Sequence, residues 1–431
     1  MVYVCDAIMG SGKSSAGINF MNRNGSSKRF IYVTPFHDET NRIKEACPDL
    51  KFSLPSSSIP EYEFRKGDHL KSLLADKKNI AITHSLFSLS DAETIRMIVE
   101  GKYTVIIDEA IEVFKEVNSR ASNDLEILID AGWLTEGESI AENGEVFKYY
   151  DKAKEKQYYA GVFQDLLLAG RNSRLIKFNE GEREGSGRSS LWFWSAYKEL
   201  FESPEELYIL TYMFEHSSMR CFMDIHNLKY KTIGVRKNDS GEYEFAEYNI
   251  YPDWVKRIPE LINVFENKKL NEIGKHKTAL SSNWVKSESK KGESSKLNQL
   301  RKHLDNYFRK YMEDIPAEQR LWSTFKRGVP KLRSKGFYNS DLSFNSRAIN
   351  DYGNKRALAY CVNIFQNPCM MHYYKANGVS YSEDGFALST MLQWIWRSAV
   401  RNGEPINIYI PSRRMRELLG EWITTIRKEL Q

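Results

Sequence analysis

The chain has 431 residues, of which 41% are hydrophobic and 28% charged, an ordinary balance for a soluble globular protein of two or three domains. No apolar stretch approaches the ~20 residues that cross a bilayer, and the first strand-like run begins at Val2, leaving no room for a signal peptide. The five cysteines are scattered without a C-x-x-C pair, which argues for reduced thiols in a cytoplasm and against a disulfide framework or zinc site; the net charge of +5 permits a polyanionic partner.

Val2 to Cys5 is a short apolar β-branched run and reads as a buried strand. Gly10, Ser11 and Gly12 break it, and Lys13, Ser14 and Ser15 open a helix. Strand, glycine turn and helix with Lys-Ser at the junction is the setting of a phosphate-binding loop, here A-x-x-x-x-G-K-S with Ala7 in place of the usual glycine. Glycines let backbone N–H groups approach an anion, and the helix N-terminus adds favourable partial charge. Residues Gly10 to Ser15 are thus expected to hold the phosphates of ATP. Lys13 reaches the β and γ phosphates, and Ser14 ligates Mg²⁺.

Further strands follow at Arg29–Phe36, Asn79–Phe87, Thr104–Ala110 and Glu206–Phe214, alternating at first with helical stretches, the signature of a parallel sheet. Asp108 and Glu109 end one of these strands, so their carboxylates belong at the sheet's C-terminal edge. Asp108 is expected to hold Mg²⁺, and Glu109 to orient or deprotonate the attacking water. Residues 115–200 read as a mostly helical insertion, with the connector Glu180–Ser190 inside it. Trp192 and Trp194 flank Phe193 there, and core packing is favoured over base stacking. KYKTIGVRKND and EYEFAEY can pair as a hairpin, and Lys286–Lys296 reads as a polar loop.

A second α/β unit runs from about residue 276 to the end. In it, Asp384 caps a helix Phe386–Arg401, Asn402-Gly403 stop it, and Ile406–Ile410 is a strand. On that helix Gln393, Arg397 and Arg401 fall at i, i+4 and i+8, one stripe of an amide and two guanidiniums suited to facing an anion.

Taken together these segments resemble a superfamily 2 helicase of the kind encoded by bacteriophages. Motif I resembles Ala7 to Ser14, motif Ia Val33-Thr34-Pro35, a further nucleic-acid element Thr83-His84-Ser85, and motif II Asp108-Glu109-Ala110-Ile111. Motif III resembles Leu210-Thr211-Tyr212, motif V Ser346 to Asp351, and motif VI Gln393 to Arg401. The arginines of motif VI stand four apart where the family has three, Ala348 replaces a glycine, and only six residues precede Ala7, too few for a glutamine motif.

The resemblance implies an α/β fold of two tandem RecA-like parallel-sheet domains. These are domain 1 at 1–225, with the helical insertion, a connecting region at 226–275, and domain 2 at 276–431. It implies ATP and Mg²⁺ in the cleft between them and nucleic acid, DNA before RNA, across both. Thr34, Pro35, Thr83, Thr211 and Arg347 become nucleic-acid contacts, Arg401 the arginine finger, and Arg397 a ligand of the phosphates or of a facing carboxylate. The implied protein is a monomeric ATP hydrolase of the host bacterial cytoplasm, away from membranes, acting in phage replication or recombination beside other replication proteins. The rival readings are a terminase-like packaging ATPase and a phosphate-loop kinase or binding module.

Overall fold

A computed structural model describes residues 1–58, 66–116, 122–141, 144–149, 167, 174–179, 190–249, 253–345 and 352–429. In chain order its strands are β1 (Val2–Asp6), β2 (Arg29–Thr34), β3 (Ile80–Thr83), β4 (Tyr103–Asp108), β5 (Phe114–Glu116), β6 (Leu134–Ala141), β7 (Gly144–Tyr149) and β8 (Arg174–Asn179). Then come β9 (Ser190–Ser195), β10 (Glu206–Thr211), β11 (Tyr230–Lys237), β12 (Tyr243–Ala246), β13 (Ile262–Phe265), β14 (Arg320–Ser323), β15 (Ala357–Tyr360) and β16 (Ile406–Tyr409). Three helices matter below: α1 (Lys13–Asn24), α2 (Ser282–Ser289) and α3 (Glu383–Ile395). The chain gathers into two compact units, one of Met1–Ala7, Ser11–Tyr248 and Gln366–Tyr381, the other of Ile8–Gly10, Asn249–Phe365 and Ser382–Gln431.

The first unit is built on a seven-stranded sheet of order β12-β11-β1-β10-β4-β2-β3, parallel except for the antiparallel β11–β12 pair. That pair is the hairpin read from the sequence. A parallel sheet is covered on both faces, so its strands are apolar throughout. Val4, Ile107 and Ile209 are accordingly fully buried, each worth about 1.5–3 kcal/mol in apolar burial. The second unit carries a parallel sheet of order β13-β16-β15-β14. Two tandem RecA-like α/β units are thus present.

The insertion differs from the helical expectation. Its described residues form a five-stranded antiparallel sheet, β5-β9-β8-β7-β6, and include a helix at Ser122–Asp130. Aromatic and β-branched residues decide this: Trp192 and Phe193 on β9 are both buried, in different apolar clusters, so the two faces of the strand are covered. Phe193 meets Tyr373 at 4.8 Å and Phe114 at 5.8 Å between ring centroids, which settles its use as core. Of the connector Glu180–Ser190, all but Ser190 lies outside the described residues. The polar stretch from Lys286 also departs from expectation, because its first residues continue α2, capped by Ser281. Among the described residues no helix is long and apolar enough to cross a membrane.

Candidate nucleotide site

The phosphate-loop candidate follows β1 directly. Gly10 and Gly12 have φ of 80° and 88°, a left-handed region that costs a side chain about 1–2 kcal/mol. Gly12 is constrained twice, since a Cβ there would run into the ring of Tyr243, whose carbonyl is held by the Asn19 side chain at 2.9 Å. From Gly12, α1 begins at Lys13, and Ala16 N–H donates to Gly12 O at 2.8 Å.

Lys13 Nζ donates to the carbonyl of Ala7, closing the loop on itself. Lys13 is half-buried as a residue, but its ammonium lies in the enclosed part, and burial pushes its pKa down against the pull of Cys5, Asp108, Asp6 and Glu109. Lys13 is thus a desolvated cation beside carboxylates.

The parallel order brings the acidic strand end to this loop, with β10 between β1 and β4. Ser14 Oγ donates to Asp108 Oδ2 at 2.8 Å, and Tyr32 OH donates to the same oxygen at 2.7 Å. His84 Nε2 lies 2.7 Å from the carbonyl of Asp108. A hydroxyl and a carboxylate at this spacing are hard oxygen donors, the set that Mg²⁺ takes together with substrate phosphates. The residues present therefore fit Mg·ATP.

Glu109 has a φ of 66°, and its N–H donates to Leu210 O at 2.9 Å. Left-handed backbone at a non-glycine residue costs on the order of 1–3 kcal/mol and persists where neighbours enforce it. Here the bond to β10 does so.

Two residues that the sequence left unmarked hold the site together. Asp6, at the end of β1 and 7% exposed, accepts from Met213 N–H at 2.8 Å and Phe214 N–H at 3.0 Å, while Ala7 N–H donates to Thr211 O at 3.1 Å. Burial raises the Asp6 pKa, opposed by those two hydrogen bonds and by Lys13. Tyr32 is the other. A charged residue closing an apolar strand was the available signal for Asp6; for Tyr32 only the strand order could have served.

In the second unit the arginine stripe does not form. Helix α3 ends at Ile395, and its cap is Ser382, which accepts from Gly385 N–H at 3.0 Å; Asp384 instead pairs with Arg414 at 2.6 Å. Beyond Ile395 the bonds tighten to i−3, from Arg397 to Trp394 O and from Ser398 to Ile395 O. Ser398 then turns extended, its Oγ donating to Ile395 O at 2.6 Å, a local hydrogen bond that competes with the helix. Ala399–Asn402 is a separate 3₁₀ turn ended by Gly403 at φ 76°. Gln393, half-buried, thus lies on α3 near Ser389 Oγ, Arg397 is buried in the turn, and Arg401 is exposed on the 3₁₀ segment. They share no helical face.

The expected nucleic-acid contacts scatter as well. Thr34 is fully buried and Thr211 is 7% exposed. Thr83 is half-buried and caps the short helix His84–Ser88 through Leu86 N–H at 3.4 Å, and Pro35 is half-buried. Arg347, with all of Ser346 to Asp351, lies outside the described residues. No group of three or more potential metal ligands occurs among the described His, Cys, Asp and Glu side chains.

Residues 256–423 match the family model of the YonV C-terminal Rossmann-like domain. Over 429 residues the chain is 36% identical to the SPβ prophage-derived protein YonV of Bacillus subtilis strain 168, covering 98% of each. Among solved structures, S. tokodaii Xpd4 aligns with a TM-score of 0.46 at 12% identity, covering 98% of this chain and 94% of that one. The DUF1998 helicase MrfA bound to DNA and AMPPNP aligns with a TM-score of 0.35 at 10% identity, covering 98% of this chain and 48% of that one.

Proposed function

The chain belongs to the YonV family, and we propose that it is an ATP-driven nucleic-acid helicase or translocase, acting on DNA before RNA in phage replication or recombination. The observation that carries this reading is the hydrogen bond between Ser14 and Asp108, which joins the glycine loop to the acidic strand end beside Lys13. The prophage origin of YonV supports the biological setting.

In this reading the loop amides from Gly10 to Ser15 bind the phosphates, and Lys13 steadies the charge that develops on the transferring group. Mg²⁺, held by Ser14 and Asp108, supplies charge neutralisation when bound. Glu109 accepts a proton from the attacking water, its backbone held by the N–H bond to Leu210 O on β10. Arg401 is the arginine that stabilises the transition state, and buried Arg397 shapes the turn that carries it. Gln393 belongs to the same catalytic set, and half-buried Pro35 and Thr83 are the motif residues left to meet a strand.

ATP turnover measured alone and with single-stranded DNA, duplex DNA and RNA tests the proposal. Stimulation by a strand is expected. Turnover indifferent to every nucleic acid favours a kinase or binding module, and dependence on duplex DNA alone favours a packaging ATPase.

A further inference from the structure

Residues Ser323 to Ser340 contain five basic residues, Lys326, Arg327, Lys331, Arg333 and Lys335, and no acidic one. The excess matches the whole chain's net charge of +5. This segment follows β14 in the second unit and packs beside α2: a Cβ at Gly328 would meet Val285 Cγ1 at 3.1 Å, and Lys331 Nζ donates to the carbonyl of Lys291. Helix α2 brings Lys286, and Lys290 follows at its C-cap, both exposed, as are Lys326, Arg327 and Lys335.

Three acidic groups adjoin the segment: Glu288 is buried, pairing with Lys291 at 2.6 Å and accepting from Lys296 N–H at 2.8 Å, Asp341 pairs with Arg333 at 3.0 Å, and Asp305 accepts from Ser334 Oγ at 2.7 Å. Tyr338 stands 56% exposed beneath the Arg333 guanidinium, 5.3 Å from its ring centroid. Phe325 of the segment and Phe344 just beyond it, 5.1 Å apart between ring centroids, are half-buried.

We infer that α2 and the segment Ser323–Ser340 form a single-strand nucleic-acid surface, the cations following phosphates and Tyr338 offering a ring to a base. The inference rests on the proposed helicase reading, and it names a surface that none of the motif residues supplies. Lysines alone would mark only a solvated face. An acid-free run beside an exposed aromatic ring is instead the combination that sequence-tolerant strand binders use.

The test is fluorescence anisotropy of labelled single-stranded DNA and RNA of mixed sequence, titrated with the full chain at several salt concentrations. The triple variant Lys286→Glu, Lys326→Glu, Arg327→Glu should lose at least tenfold in affinity. Its log–log salt slope should shrink by about 2, at ~0.7 for each phosphate that the protein no longer neutralises. ATP turnover without nucleic acid should stay at the wild-type rate, which also reports that the variant folds. Tyr338→Ala should weaken binding with the salt slope unchanged. Wild-type affinity and slope in the triple variant would overturn the surface, as would equal loss of binding to anionic phosphatidylserine vesicles. A triple variant that binds strands as the wild type does overturns this surface alone, whereas a wild-type chain that binds no strand overturns the helicase reading too.

Discussion

The loop edge of the first unit and the Gln393–Asn402 stretch of the second both gather charged side chains, and they are held in different ways. At the loop edge, backbone register does the positioning: β10 lies between β1 and β4, and its carbonyls fix Ala7 and Glu109. Around Arg397 and Arg401 the chain is held by i−3 bonds, one serine hydroxyl and two bonds to a neighbouring turn, Ala399 N–H to Lys355 O and Asn402 Nδ2 to Gly353 O, both at 3.0 Å. A sheet edge presents groups whose separation is set by strand spacing. A turn presents groups whose direction depends on a few local torsions.

The comparison breaks most sharply at the loop edge. Lys13→Ala should abolish ATP turnover, and Glu109→Gln should stop turnover while ATP still binds, because an amide contacts water without taking its proton. Turnover by Glu109→Gln at the wild-type rate would remove Glu109 from the role of base. In the turn the effects should separate. Arg401→Ala should lose ~10³ in turnover at unchanged nucleotide affinity, and Arg397→Ala, which vacates a buried position, should lower thermal stability. If Arg401→Ala keeps both turnover and affinity, the catalytic arginine is Arg397 or lies elsewhere.

These two regions also differ in how far the sequence exposes them. Apolar runs closed by Ala-x-x-x-x-Gly-Lys-Ser and by Asp108-Glu109 identify strand ends, and strand ends in a parallel sheet share one edge; Lys13, Ser14 and Asp108 needed only that rule. The stripe of Gln393, Arg397 and Arg401 required a helix to continue through Trp396-Arg397-Ser398, and the Ser398 hydroxyl ended it. Periodicity locates a helix but not the residue at which a side chain takes over a backbone bond. The insertion failed for a related reason: Leu175, Ile176, Trp192 and Phe193 form short apolar runs that fit helix or strand, and pairing across the sheet decides. Asp6 acts through backbone amides of Met213 and Phe214, distant in sequence, a partnership visible only once β1 and β10 are adjacent.

Smaller effects sharpen the same contrast. Asp6→Asn keeps one acceptor but turns an NH₂ toward a second N–H, so turnover should fall about tenfold, the effect of ~1.4 kcal/mol. Steady-state kinetics check it, and an unchanged kcat would show that the Met213–Phe214 turn does not position the site. Lys13→Met should raise the melting temperature slightly at pH 7. With the folded pKa of Lys13 depressed by burial below 10.5, carrying the charge costs stability at neutral pH, and that cost fades as pH rises from the depressed value past the ordinary 10.5. Thermal melts of both proteins across alkaline pH should converge; a gap that widens instead would contradict the desolvated ammonium.

The most direct test of the loop edge as a nucleotide site is calorimetric titration of ATP into the wild-type chain and Ser14→Ala, each with Mg²⁺ and with EDTA. Binding to wild type should be strong with Mg²⁺ and weak with EDTA, and Ser14→Ala should lose most of the Mg²⁺-dependent part. Equal affinity in all four titrations would contradict a metal–nucleotide site at Ser14 and Asp108.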